Sequence, residues 1–162
     1  AGIAPGARQL RDSYRFKGFT PSTFVLQHPE DPAGWVIDLV VGEKGALRGL
    51  PYSGRRYDER TVLVRDLDCG GWHVYLRFAL RRIDCKKCHN VKRERIDFLA
   101  TPPKFTERFE DLVGKQAQES SLTAVAELLG LSWDQAARIE RSYMERLLAR
   151  TPLKAPRVIG VD

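Results

Sequence analysis

The stretch "CGGWHVYLRFALRRIDCKKC", residues 69–88, combines a turn, a strand and a cysteine pair. Two glycines near its start suit a tight hairpin turn, because glycine adopts positive φ without steric cost. From Trp72 to Leu80, apolar residues occupy every second position, which is the period of a strand with one buried face. The stretch therefore predicts the return strand of a β-hairpin that ends in a Cys-x-x-Cys motif.

The residues before this stretch predict further strands. "RTVLVRDLD", residues 60–68, is expected to be the partner strand of the hairpin. "STFVLQHPEDPAGWVIDLVV", residues 22–41, predicts an earlier hairpin with "PEDPAG" as its turn. Residues 1–17 are rich in glycine and arginine and are expected to be loosely ordered. Residues 18–100 are accordingly predicted to form an antiparallel, β-rich domain.

The pattern becomes helical after Pro102 and Pro103. Apolar spacing predicts helices over residues 106–118, 121–129 and 132–149. Gly130 is expected to end the second helix, and Ser132 with Gln135 to form a capping box at the start of the third. Residues 101–150 therefore predict an all-α domain and the whole chain an α+β fold. Residues 151–162 are interpreted as a linker followed by a new strand.

Basic residues concentrate in one segment of the chain. The net charge is +6 and the pI about 9.4. Residues 77–95 hold eight basic and two acidic residues, a surplus equal to that of the whole chain. This pattern fits either a solvated strand face or a stripe that contacts DNA phosphates. The candidate phosphate contacts are Arg77, Arg81, Arg82, Lys86, Lys87, Lys92 and Arg93.

Residues 121–148, "SLTAVAELLGLSWDQAARIERSYMERLL", have the form of a helix-turn-helix. A short helix, a turn with glycine and a capped longer helix are typical of that motif, although a plain αα-hairpin shares the pattern. In a helix-turn-helix the second helix enters the DNA major groove with its N-terminal end. The candidate contacts on this helix are Ser132, Gln135, Arg138 and Arg141.

Cys85 and Cys88 have the spacing of one half of a zinc site. A closed structural site needs four ligands, and Cys69 is expected about 30 Å away at the other end of the strand. A hairpin that turns at Gly70 brings the cysteine pair opposite residues 52–55. His89 is an additional candidate ligand, and a chance pair or a redox motif are the alternatives to a metal site.

The expected second half of the zinc site is the segment "LPYSG", residues 50–54. Leu50 and Ser53 stand where a matching Cys-x-x-Cys-Gly motif would place its two cysteines. Leucine cannot bind a metal, and serine is a poor zinc ligand beside thiolate or imidazole. Cys85 and Cys88 are therefore interpreted as an incomplete zinc site.

The order of these motifs resembles the N-terminal part of insertion-sequence transposases of the ISL-three family. The resemblance rests on the segments "LDCGG", "RRIDCKKC", "VAELLGLSWDQAARIERSYMERLL" and "RVIGVD". In that family the first two segments belong to a zinc ribbon and the third to a helix-turn-helix. The segment "RVIGVD" is similar to the start of the family's RNase-H-like catalytic domain.

The resemblance implies a role in transposition, a form of DNA recombination carried out by mobile elements. The expected partner is double-stranded DNA at the terminal inverted repeats, in a prokaryotic cytoplasm at the nucleoid and without membrane attachment. Asp162 matches the first acidic residue of the DDE triad, which binds a divalent metal such as Mg²⁺ in the full-length enzyme. The fragment up to Asp162 is not expected to catalyse alone, and homo-oligomerisation of the full-length protein is left open.

Two other classes of function remain open from the sequence. One is a free-standing helix-turn-helix regulator built on the same scaffold. The other is an interaction module that binds no nucleic acid and whose basic face is only solvated. Salt-dependent binding to duplex DNA separates the second alternative from the other interpretations.

Overall fold

The computed structural model describes residues 13–41 and 54–151. Within these ranges five strands precede three helices, which confirms the α+β class. The chain divides into two compact units between Phe109 and Glu110. The elements are β1 (Phe19–Gln27), β2 (Gly34–Val41), β3 (Gly54–Cys69), β4 (Trp72–Cys85), β5 (Val91–Arg93), α1 (Glu107–Glu119), α2 (Leu122–Leu129) and α3 (Trp133–Arg150).

The strands form one sheet in the order β1-β2-β4-β3, and β5 pairs with β4. β1 and β2 make the predicted antiparallel hairpin, as do β3 and β4. β2 also pairs with β4 in parallel, with Gly34 opposite His73, so the sheet is mixed and not wholly antiparallel as expected. Gly70 and Gly71 have φ of 60° and 81° in the turn between β3 and β4, as expected from their lack of a Cβ.

The alternating apolar residues of β4 lie in the core of the first unit. Val74, Leu76, Phe78 and Leu80 are all at most 3% exposed, which confirms the predicted period of two. They pack in one cluster with apolar residues of the neighbouring strands. That part of the cluster comprises Phe19, Ile37, Leu39, Val62 and Val64.

Asp66 on β3 holds the first turn of α1 within the first unit. Its side chain is fully buried and accepts hydrogen bonds from Thr106 Oγ1 and Arg108 Nε, each at 2.7 Å. The hydroxyl of Thr106 in turn accepts a hydrogen bond from the backbone N–H of Phe109 at 3.2 Å. Because Thr106 caps the helix and also donates to Asp66, the start of α1 is fixed to the end of β3.

The second unit contains the predicted helix caps. Ser121 accepts a hydrogen bond from Ala124 N at 3.3 Å at the start of α2. Gly130 ends α2 with φ 62° and ψ 40°, a left-handed conformation that glycine adopts readily. Val125, Ala126 and Leu129 of α2 are buried, as are Ala136 and Ile139 of α3. These buried faces confirm the helical spacing expected from the sequence.

Close packing between α1 and α3 involves Gly114. A Cβ atom built on Gly114 would lie 2.1 Å from Cγ of Tyr143, so this position requires glycine. Arg146 pairs with both Glu110 and Asp111 of α1, the latter at 2.8 Å. The apolar spacing of residues 132–149 predicts that Leu147 is buried, but 42% of it is exposed, so that prediction is wrong. Near the end of α3, Arg146 makes the contact with α1 instead.

Candidate nucleic-acid interface

Two of the predicted DNA contacts on α3 form its capping box. Ser132 Oγ accepts a hydrogen bond from Gln135 N at 3.2 Å, and Ser132 N donates to Gln135 Oε1 at 2.9 Å. Both halves of the predicted box are therefore present. These bonds fix the first turn of α3. The amide nitrogen of the Gln135 side chain takes no part in them.

The other two predicted contacts on α3 point to solvent. Arg138 and Arg141 are both exposed, and neither forms an ion pair with a carboxylate in the described part of the chain. Trp133, the first residue of the helix after its cap, is 56% exposed. Trp133 was not among the contacts predicted from the sequence. Its position directly after the predicted cap Ser132, in the first turn of the helix, was the signal that could have identified it.

Three predicted phosphate contacts on β4 are ion-paired within the sheet. Arg77 donates to Asp38 on β2 through Nε at 2.5 Å and Nη2 at 2.8 Å. Arg81 makes two hydrogen bonds to the buried Glu94, at 3.0 and 2.6 Å. The third pair joins Arg82 to a carboxylate on β3. The positive charge of these arginines is thus already opposed by a carboxylate.

The remaining predicted phosphate contacts lie at the far end of the β3–β4 hairpin. Lys86 and Lys87 are exposed in the turn after β4, and Lys92 and Arg93 belong to β5. None of the four forms an ion pair with a described residue. Uncompensated positive charge among the predicted contacts therefore concentrates at this end of the sheet, away from the turn at Gly70.

The Cys-x-x-Cys segment forms a closed turn. Cys85 pairs with Gly54 across the hairpin, its N–H donates to Asn90 O at 3.1 Å, and its carbonyl accepts from His89 N at 2.9 Å. A hydrogen bond from Cys88 N–H lowers the pKa of the Cys85 thiol, burial opposes that shift, and the Lys87 N–H adds to it. His89 has φ 53°, a left-handed conformation. Backbone N–H groups of this turn thus donate to the sulfur atom of Cys85.

Comparisons with known proteins match both units. The family model described as the helix-turn-helix domain of transposase family ISL3 matches residues 104–144. The model described as the zinc-finger of transposase IS204/IS1001/IS1096/IS1165 matches residues 50–88. Residues 50–88 are thus similar to a zinc-finger region of these transposases, and residues 104–144 are similar to their helix-turn-helix domain. The second matched range includes α2, the turn after it and the first part of α3.

A curated transposase is similar to most of this chain. The chain is 29% identical over 131 residues to the transposase for insertion sequence element IS1001 from Bordetella parapertussis. The match covers 78% of the chain and 32% of the relative, so the chain spans about a third of that protein's length. No solved structure matches the chain.

The segment that matches the zinc-finger model contains one Cys-x-x-Cys pair, Cys85 and Cys88. Its family match begins at Leu50 and ends at Cys88, but Leu50 and Ser53 lie outside the described residues. Among the residues that are described, no group of three or more His, Cys, Asp or Glu side chains could hold a metal. Cys69 pairs with Trp72 at the opposite end of β4 from Cys85. Two thiols do not satisfy the four ligands of a structural zinc site.

Two further expectations concern membrane attachment and Asp162. Among the described residues, no helix is long and apolar enough to cross a membrane. Asp162 lies outside the described residues, as do residues 1–12 and 152–161. The metal-binding role expected of Asp162 remains a prediction from the family resemblance.

Proposed function

We propose that this chain is the DNA-binding N-terminal portion of a DDE-type transposase and that it recognises the terminal inverted repeats of an insertion sequence. The observation that carries the proposal is the start of α3, where the capping box fixes a helix end that presents Trp133, Arg138 and Arg141 to solvent. This end follows a left-handed turn at Gly130, in the segment that matches the family's helix-turn-helix.

In the proposed complex, the N-terminal half of α3 lies in the major groove. Arg138 offers two donors to the O6 and N7 acceptors of guanine, and Trp133 offers an apolar surface to the methyl group of thymine. Arg141 lies almost one turn after Arg138 on the same face and reaches a backbone phosphate. Ser132 and Gln135 act mainly by fixing the helix end, since their hydrogen bonds are made within the capping box.

The strand unit supplies contacts that do not depend on base sequence. Lys86, Lys87, Lys92 and Arg93 have no carboxylate partner among the described residues and lie at one end of the sheet. Each phosphate that they neutralise releases counterions, which makes the affinity fall as salt rises. Strand cleavage and joining, with Mg²⁺ bound at Asp162, would belong to the longer protein and is proposed only for it.

The test compares a duplex that carries a terminal inverted repeat with a scrambled duplex of equal length. Fluorescence anisotropy at several salt concentrations gives the affinity ratio and the salt dependence separately. The proposal expects tighter binding to the repeat, and a logarithmic affinity that falls linearly with the logarithm of salt concentration. Equal affinity for both duplexes would exclude repeat recognition, and binding that ignores salt would exclude the phosphate contacts.

A further inference from the structure

Three arginines from three neighbouring strands meet on one face of the sheet. Arg60 on β3, Arg82 on β4 and Arg93 on β5 line a cavity of about 100 Å³ together with Leu80. The strand register brings them together, because Arg60 lies opposite Leu80 and Arg82 lies opposite Arg93. Directly paired residues of neighbouring strands project from the same face, so the three guanidinium groups share one concave surface.

This arrangement leaves positive charge without a matching negative group. Like charges directly opposite each other across two strands destabilise a sheet, which is the situation of Arg82 and Arg93. Asp58 pairs with Arg82, and in the described part of the chain neither Arg60 nor Arg93 has a carboxylate partner. The hydrogen bond from Arg82 lowers the pKa of Asp58, and the charge of Arg60 contributes to the same shift. The carboxylate of Asp58 thus interacts with two of the three guanidinium groups, those of Arg82 and Arg60.

One of the three guanidinium groups is held in place before any ligand binds. Asp58 accepts two hydrogen bonds from Arg82, one of them from Nε at 2.7 Å. The guanidinium of Arg82 also lies over the ring of Tyr57, 5.3 Å from its centroid. Leu80, which is 2% exposed, forms the apolar part of the cavity lining. A fixed, planar donor group with two further cations beside it suits a tetrahedral oxyanion.

We infer that Arg60, Arg82 and Arg93 form a pocket for a single phosphate group, which in the bound state is a phosphodiester of the DNA backbone. The inference rests on the proposed function and adds to it a specific contact, since Arg60 lies outside the basic segment at residues 77–95. The pocket differs from the exposed lysines at the hairpin end because three of the four residues that line this one cavity are arginines.

The first test measures the salt dependence of duplex binding for the wild type and the double variant Arg60→Gln with Arg93→Gln. Loss of one phosphate contact is expected to reduce the slope of log affinity against log salt by about 0.9. It should also weaken binding roughly 10-fold or more at moderate salt, as for other charged hydrogen bonds. The control variant is Arg55→Gln with Arg95→Gln, because it also removes two charges, from exposed residues outside the cavity.

The outcomes separate the pocket from the proposed function. A wild type that binds no duplex overturns both. If the wild type binds duplex DNA and the double variant keeps the same slope of log affinity against log salt, the pocket is overturned and the proposed function is not. A control variant whose slope falls as much as that of the Arg60 and Arg93 double variant also overturns the pocket, because total charge would then explain the effect.

A second measurement needs no DNA and checks that the variants fold. Inorganic phosphate at fixed ionic strength should raise the thermal midpoint of the wild type more than that of the double variant, because a ligand stabilises the state that binds it. In chloride alone the double variant should unfold at the same or a higher temperature, since repulsion between Arg82 and Arg93 is removed. Equal shifts in phosphate for both proteins would contradict the pocket. Phosphate binding that the variant loses without any change in duplex affinity would identify a free anion as the ligand and overturn the DNA contact.

Discussion

Gly54 lies directly opposite Cys85 in the antiparallel ladder of β3 and β4. This is the pairing expected of a hairpin that turns at Gly70. Gly54 directly follows Ser53 in the sequence. A second ligand pair at Leu50 and Ser53 would consist of one side chain that cannot bind zinc and one that binds it poorly.

Metal analysis of the purified chain is expected to find well under one zinc per chain. Treatment with a chelator should leave the thermal midpoint unchanged, because the strand unit has its own apolar core. The double variant Leu50→Cys with Ser53→Cys restores two cysteine pairs and should gain one zinc and sensitivity to chelator. One tightly held zinc in the unaltered chain would show that the prediction is wrong.

Arg138→Ala is expected to weaken binding to the specific site by about 1–3 kcal/mol if the side chain reads a guanine. Binding to a scrambled duplex should change much less. Arg150→Ala is the control, since Arg150 is exposed in the last turn of the same helix. Anisotropy titrations of both variants on both duplexes provide the measurement. An equal loss on the two duplexes would indicate a phosphate contact instead.

Trp133→Ala should lower the affinity for the specific site and leave the stability of the chain almost unchanged. Burial of about 50 Å² of apolar surface against DNA contributes about 1 kcal/mol, which corresponds to roughly five-fold in affinity. An exposed substitution usually changes the free energy of unfolding by less than about 0.5 kcal/mol. Replacing thymine by uracil in the site should weaken the wild type and not the variant. If the variant binds as the wild type does, Trp133 does not contact DNA.

Asp66→Asn should destabilise the first unit. Loss of one partner of a buried ion pair costs about 3–5 kcal/mol, and the 38% exposure of Arg108 favours the lower end of this range. Glu59→Gln is the control, because its pair with Arg56 is exposed and should contribute about 0–1 kcal/mol. Urea unfolding of both variants gives the comparison. Similar losses for the two would mean that Asp66 is not a major anchor of α1.

Stability should decline on acidification partly through Asp31. Burial alone would raise its pKa, but hydrogen bonds from His73, Tyr75 and the Ala33 N–H outweigh that effect and lower it. A carboxylate whose pKa is lower in the folded state stabilises the fold above its unfolded value near 3.9, and this contribution is lost as pH falls through the folded value. Asp31→Asn should flatten the decline in thermal midpoint below about pH 4. A variant as acid-sensitive as the wild type would contradict this assignment.

The sequence predicted the elements whose signals are local. The positive φ of Gly70 and Gly130 follows from their turn positions, and the capping box of Ser132 with Gln135 follows from residue spacing. Strand order was not predictable, because an apolar strand face does not specify its neighbour. The pairs of Arg77 with Asp38 and of Arg81 with Glu94 depend on that order. The sequence therefore could not show which of the predicted phosphate contacts are already paired with a carboxylate.

The parallel pairing of β2 with β4 has a consequence for the order of folding. Each hairpin joins strands that are near neighbours in the chain, whereas the pairing of Gly34 with His73 joins residues 39 positions apart. Closing so long a loop has an entropic cost that precedes the gain from contacts, so the two hairpins are expected to form early and to associate late. Substitutions along β2 that leave its own hairpin intact should therefore slow the association of the two halves of the sheet.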